Sequence, residues 1–331
     1  MTAETTVAFV GFHGTGKTTY LGALWMIIQD PRDTTMTEVE VRGDRSHLQS
    51  IGEQVARAER LLRTKVESDD GFAVTLEFSD GATAALNIPD LSGEGVRLLV
   101  EDRVWHPQLS DAVQDADALI LFVSPRPLKL PIRSSFTDEV LAEFLAQDAG
   151  FDEDEEGSGP GFQPQNGSVG ASLLVDDEQQ AQGAAPSRVA PAAEEAADPE
   201  AATRPTEVEF EARYACTSAR IVDALENVLA LRADSRPLRV GIVVSAWDSV
   251  DPSLTPAQWV QERLPALTSF IEVNSDRMIA DVFGISAQGG RLPQQKDELL
   301  AKGDVIDRVF ARDRSGDPVA LAQPLRWTMG I

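Results

Sequence analysis

Residues Gly11-Phe12-His13-Gly14-Thr15-Gly16-Lys17-Thr18 satisfy the pattern G-x-x-x-x-G-K-[ST] at every fixed position. An apolar run, Thr6-Val7-Ala8-Phe9-Val10, precedes the motif, and a largely apolar stretch from Thr18 to Gln29 follows it. Strand, glycine loop and helix in that order make a cradle for phosphate. The glycines let backbone N–H groups converge, and the helix N-terminus adds partial positive charge. Gly11, His13, Gly14, Thr15, Gly16, Lys17, Thr18 and Thr19 are therefore expected to line a bound nucleotide. Lys17 would reach the β- and γ-phosphate oxygens, and the Thr18 hydroxyl would ligate Mg²⁺. His13 fills a variable position and is expected to face solvent or pack locally, outside the chemistry.

The remaining periodicities supply a sheet to carry this loop. Leu48, Ile51, Val55, Ala58 and Leu62 share one face of a helix expected over 46–62, with Ser46 and Gln49 spaced as a capping box. Phe72, Val74, Leu76 and Phe78 alternate as a half-buried strand, and Asp80-Gly81 turns the chain into a second strand, Thr83 to Ile88. Val96 to Trp105 has a helical pattern. Ala118–Val123 and Val240–Val244 are continuous apolar strands, Ile221, Leu225, Val228 and Leu229 mark a helix, and Thr255-Pro256 opens another. Ile279 to Ile285 is expected to be the last strand, with a helix across Val319 to Trp327. Alternating strands and helices predict an α/β fold of three layers. The sheet is mostly parallel, with one antiparallel edge pair and helices on both faces.

Charge divides the chain. The formal net charge is −25 over 331 residues, yet residues 148–206 alone hold 13 acids and two bases. That stretch is rich in Ala, Pro, Gly and Gln and buries too little apolar surface to offset the cost of ordering it. It is expected to be an acidic, disordered insertion in a single domain formed by 1–147 and 207–331. The acidic excess argues against nucleic acid and anionic membrane as partners. The longest apolar run, Leu21 to Ile28, is too short for a membrane span, and with a strand expected from Thr6 no signal peptide is expected. With one cysteine, Cys216, no internal disulfide forms. A cytoplasmic location is expected.

Three further stations lie at strand ends. Leu86-Asn87-Ile88-Pro89-Asp90-Leu91-Ser92-Gly93 ends a strand in a pattern that resembles the D-x-x-G of GTPases, which implies that Asp90 would hold Mg²⁺ through water and the Gly93 N–H would sense a γ-phosphate. Ser245-Ala246-Trp247-Asp248 follows Val240–Val244 at the place of the N/T-K-x-D that reads guanine. The Asp is present, but Ser and Ala replace Asn and Lys. Ser286-Ala287-Gln288 ends the last strand like the S-A-K element that contacts the guanine oxygen.

These stations resemble the translation-factor-related, Ras-like class of P-loop GTPases. More narrowly, Gly16-Lys17-Thr18-Thr19-Tyr20-Leu21-Gly22-Ala23-Leu24, Ile88–Glu94 and Pro324-Leu325-Arg326-Trp327 resemble the bacterial double-GTPase group, which is predicted to act in conflict or antiviral systems. The resemblance covers most of 1–125 and 235–331. It implies a Ras-like P-loop NTPase fold, GTP or GDP as ligand, Mg²⁺ as cofactor and an effector or activating protein of unspecified kind. It further implies a switch threonine near Mg²⁺, for which Thr64 is the first candidate and Thr34 and Thr35 are alternatives. Glu94 stands where many GTPases carry a water-orienting Gln or His. A carboxylate beside a triphosphate is repelled, so hydrolysis is expected to be slow unless a partner supplies an arginine; Arg97 and Arg103 on the following helix are read as solvated. The altered Ser245-Ala246 pair keeps two alternatives open: an ATP-binding P-loop NTPase, and a pseudo-GTPase scaffold without turnover.

Overall fold

The computed structural model describes residues 5–61, 72–88, 93–130, 212–232 and 236–331. All of them belong to one unit built from Met1–Ser134 and Glu211–Ile331. In chain order the strands are β1 (Thr5–Val10), β2 (Met36–Arg42), β3 (Phe72–Phe78), β4 (Thr83–Ile88), β5 (Ala118–Val123), β6 (Leu238–Val244), β7 (Met278–Ser286), β8 (Phe310–Arg312) and β9 (Pro318–Val319). The helices are α1 (Lys17–Ile28), α2 (Arg45–Ala56), α3 (Glu94–Glu101), α4 (Pro107–Asp115), α5 (Thr217–Leu231), α6 (Pro256–Arg263), α7 (Pro265–Val273), α8 (Lys296–Ala301), α9 (Val305–Arg308) and α10 (Gln323–Thr328). Among the described residues no helix is long and apolar enough to cross a membrane.

The strands form one sheet in the order β2-β3-β4-β1-β5-β6-β7-β8-β9. Its five central strands, β4-β1-β5-β6-β7, are parallel. The antiparallel part exceeds the single edge pair expected: β2 and β3 extend one side, and β8 and β9 extend the other. The parallel centre matches its sequence, because strands covered on both faces read as continuous apolar runs, and every residue of β5 is buried.

Helices cover both faces, and β1 shows how. Val7 and Phe9 point into one core with Tyr20, Leu24, Leu48 and Leu325, while Ala8 and Val10 point into the other with Val100, Val113, Ile221 and Leu225. In the first core Phe9, Tyr20 and Phe122 meet ring to ring at 5.2–5.8 Å. The Tyr20 hydroxyl donates to the Leu321 carbonyl at 3.0 Å, tying α1 to the C-terminal segment. Burial drives this phenol well above its ordinary pKa, so it remains a neutral donor.

Several expectations shift. β2 was absent from the sequence reading, since Met36-Thr-Glu-Val-Glu-Val-Arg42 is an edge strand that faces water with charged residues. The helix expected over 46–62 is capped by Asp44, whose carboxylate accepts from the Ser46 N–H at 2.9 Å, and it ends at Ala56. Of the stretch Val96 to Trp105, only the part up to Glu101 is helical, in α3, and α4 begins at Pro107. β8 and β9 come after the strand expected to be last. The Thr255 cap holds as a full capping box with Gln258.

Candidate functional site

β1 neighbours β4 on one side and β5 on the other, so the chain diverges at its carboxyl end. In open α/β sheets such a divergence opens the binding crevice. The phosphate loop occupies that position. Gly16 caps α1 in the left-handed region with φ 90°, and Gly14 also has positive φ. Lys17 is 3% exposed. Its ammonium group donates to the Gly11 carbonyl at 2.6 Å and to the Phe12 carbonyl at 3.0 Å. The Thr15 hydroxyl donates to the same Phe12 carbonyl at 2.8 Å. Lysine and threonine together shape the loop around its own carbonyls. His13 is exposed at the loop's tip, while Thr18 and Thr19 are half-buried in the first turn of α1.

Gly93 meets this loop directly. It has φ 80° and caps α3, and a Cβ built on it would lie 2.4 Å from the His13 amide nitrogen and 2.4 Å from the Phe12 carbonyl carbon. Both obstacles are backbone, so only glycine fits.

The ends of β6 and β7 complete the crevice. The Ser245 N–H donates to the Val123 carbonyl at 2.9 Å, and the Ser245 side chain lies against Gly16. Ala246 is exposed in the left-handed region with φ 45°, an uncommon conformation for a residue with a Cβ. Trp247 is buried against Gly284 of β7, which fixes the short 3₁₀ turn Trp247–Ser249 that presents Asp248. The fully buried Ser286 hydroxyl donates to Asp248 Oδ1 at 2.5 Å and accepts from the Gly289 N–H at 3.1 Å. Ala287 is buried beside it.

The phosphate loop, Gly93 and the segments Ser245–Asp248 and Ser286–Ala287 thus meet at one end of the sheet. A sequence model of the family described as Double-GTPase 1 matches residues 8–328. The chain belongs to the Double-GTPase 1 family. As a member it is a GTP-binding P-loop protein with a Ras-like sheet. Sequence comparison with curated proteins finds no match. Two solved structures align over much of the chain at low identity. One is the Arl6 BBS3 small GTPase from Trypanosoma brucei with a bound nucleotide analogue, GppNp, at 11% identity over 91% of this chain and 96% of that one, with TM-score 0.34. The other is sup35 complexed with GDP, at 12% identity over 88% of this chain and 39% of that one, with TM-score 0.31.

Other expected site residues separate in this Double-GTPase. Thr64 and Asp90 lie outside the described residues. Thr34 and Thr35 precede β2, and Met36 pairs with Phe78 at the end of β3 remote from the crevice. Thr35 is occupied there, its N–H and hydroxyl both donating to Asp33 at 2.7 and 2.6 Å. These two threonines are therefore at the wrong end of the sheet. Glu94 is held by Arg97, whose Nη2 reaches Oε1 at 2.5 Å.

For Mg²⁺, the fit rests on Thr18. Its hydroxyl makes no hydrogen bond among the described residues, so an oxygen donor remains available on the first turn of α1. No cluster of three or more His, Cys, Asp or Glu occurs among the described residues; the expected carboxylate, Asp90, lies outside them. The sequence reading missed Ser245 as a loop neighbour and Trp247 as a wedge. A glycine in the apolar run of β7, Gly284, was the available signal for the second.

Proposed function

We propose that this protein is a Mg²⁺-dependent guanine-nucleotide switch whose hydrolysis is slow or activated by a partner. The observation that carries the reading is the packing of Gly93 against the backbone of Phe12 and His13. A loop in contact with the phosphate loop responds to a third phosphate, because the Gly93 N–H would donate to its oxygens. Lys17, freed from the Gly11 and Phe12 carbonyls, would neutralise the β- and γ-phosphates. Thr18 and Asp90 would hold Mg²⁺, which supplies charge neutralisation on the same oxygens, and Thr64 would close toward it. Asp248, oriented by Ser286, would accept from the two N–H donors on the guanine edge, with Ala287 beside the base. The acidic stretch 148–206 is taken as an insertion into one nucleotide-binding domain formed by 1–147 and 207–331.

The Arg97 clasp on Glu94 favours slow turnover. A carboxylate neutralised by a neighbouring guanidinium is poorly placed to orient water, so acceleration falls to an arginine brought by another protein, worth about 10³–10⁵ in rate. The resemblance to double-GTPases supports a place in a bacterial conflict or defence system, with a protein effector as readout.

Calorimetric titration of the full chain with GTP, GDP and ATP, with and without Mg²⁺, tests the reading. Guanine nucleotides should bind and ATP should not. Equal affinity for ATP and GTP would sink the guanine assignment, and binding retained in Lys17→Ala would sink the site.

A further inference from the structure

A line of alternating charges runs from the phosphate loop to the residue after Gly93. Arg220, one turn into α5, lies with its guanidinium carbon 4.6 Å from the Phe12 ring centroid. Its Nη2 donates to Glu101 Oε1 at 2.5 Å. The other oxygen of Glu101 accepts from Arg97 Nη1 at 2.9 Å, and Arg97 also grips Glu94, the first residue of α3. Gly93 precedes Glu94 and packs back on Phe12. The path is therefore a closed ring: Phe12, Arg220, Glu101, Arg97, Glu94, Gly93 and Phe12 again.

Two features separate this ring from ordinary surface pairing. Its middle is shielded, with the Arg220 and Glu101 side chains 19% and 16% exposed, so its interactions are screened less than exposed ion pairs. It also engages Phe12 on both sides, the backbone touching Gly93 and the ring touching Arg220. A second ion pair, Arg103 to Asp223 at 2.6 Å, joins the turn just after α3 to α5 without reaching the phosphate loop. Fastening one helix to the other does not by itself require Arg220.

We propose that Arg220 is a positioning residue for the nucleotide site: it braces the start of α3 so that Gly93 stays within reach of a γ-phosphate. The proposal rests on the guanine-nucleotide reading above and deepens it. A guanidinium suits the task because it stacks flat on an aromatic ring while its edge donates to a carboxylate. Removing the brace frees Gly93 to drift from the loop. That costs affinity for a triphosphate, whose terminal group Gly93 meets, and spares GDP, which ends one phosphate earlier.

The test measures GDP and GppNHp affinities of the full-length chain in Mg²⁺, with melting curves as the check on folding. Arg220→Ala should weaken GppNHp about ten-fold, the scale of one lost charge-assisted contact, and leave GDP within about two-fold. Arg220→Lys should recover part of the loss, since it keeps the charge facing Glu101 and gives up the flat stack. Arg103→Ala, which cuts only the outer pair, should leave the ratio of the two affinities unchanged. If Arg220→Ala does not fold, Glu101→Gln serves in its place with the same selective loss expected. Equal losses for both nucleotides, no loss, or the same selective loss in Arg103→Ala would overturn the assignment. Failure of the wild-type chain to bind either nucleotide would instead overturn the guanine-nucleotide reading, so the two failures are distinct.

Discussion

Gly93 lies so close to His13 that a methyl group on its Cα would stand 2.4 Å from the His13 amide nitrogen. Side chains can rotate away from such an intrusion; a phosphate loop can yield only by moving. Gly93→Ala also meets strain from its left-handed backbone, of order 1–3 kcal/mol. The variant should melt at lower temperature and lose more affinity for GppNHp than for GDP. Calorimetry on both ligands reads the difference.

Lys17 spends its charge on two backbone carbonyls of its own loop. Lys17→Ala should abolish measurable triphosphate binding, a loss of about 100-fold or more given several charge-assisted contacts. Circular dichroism should still report the wild-type content of helix and strand.

Ser286 and Asp248 form the tightest polar contact at the base end of the crevice. Ser286→Ala leaves a buried N–H and a carboxylate oxygen short of a partner, a cost of about 1–3 kcal/mol, and should weaken GTP about ten-fold. Asp248→Asn replaces an acceptor with a donor where the 2-amino group of guanine would sit. It should shift preference toward xanthine nucleotides, which carry an oxygen there, as competition assays can show.

Away from the site, Asp281 on β7 has its carboxyl raised above the ordinary range, chiefly because burial penalises the charge. A raised carboxyl favours folding while protonated, and that contribution is lost as pH rises through the folded pKa. Asp281→Asn keeps an acceptor for the Val282 N–H at 3.0 Å without the charge. Its melting temperature should exceed the wild-type value at neutral pH, and the gap should close on acidification below the ordinary carboxylate range. A gap that widened in acid would contradict this account of Asp281.

What the sequence revealed follows from how each signal arises. The phosphate loop was legible because glycines and a lysine at fixed spacing have few other reasons to occur between a buried strand and a helix. Asp248 and Ser286 were legible as strand-end residues, though their mutual hydrogen bond was not, since 38 positions separate them. β2 escaped because an edge strand tolerates Glu38, Glu40 and Arg42 and so mimics a loop. Thr34 and Thr35 misled for a related reason: once β2 exists, its register carries them to the far end of the sheet. The Arg220 ring was invisible, because an arginine stacked under a phosphate loop and one waving in solvent have the same neighbours in sequence.

Near the start of α5 the chain makes a small clasp. The Thr217 N–H donates to the Lys129 carbonyl at 2.8 Å, and the Lys129 N–H donates to the Thr217 hydroxyl at 2.9 Å. The path out of β5 and the path into α5 are thereby fixed to each other by these two local hydrogen bonds. The same strand accepts the Ser245 N–H through its last residue, Val123. One strand end therefore anchors both the entry to α5 and the wall of the nucleotide crevice.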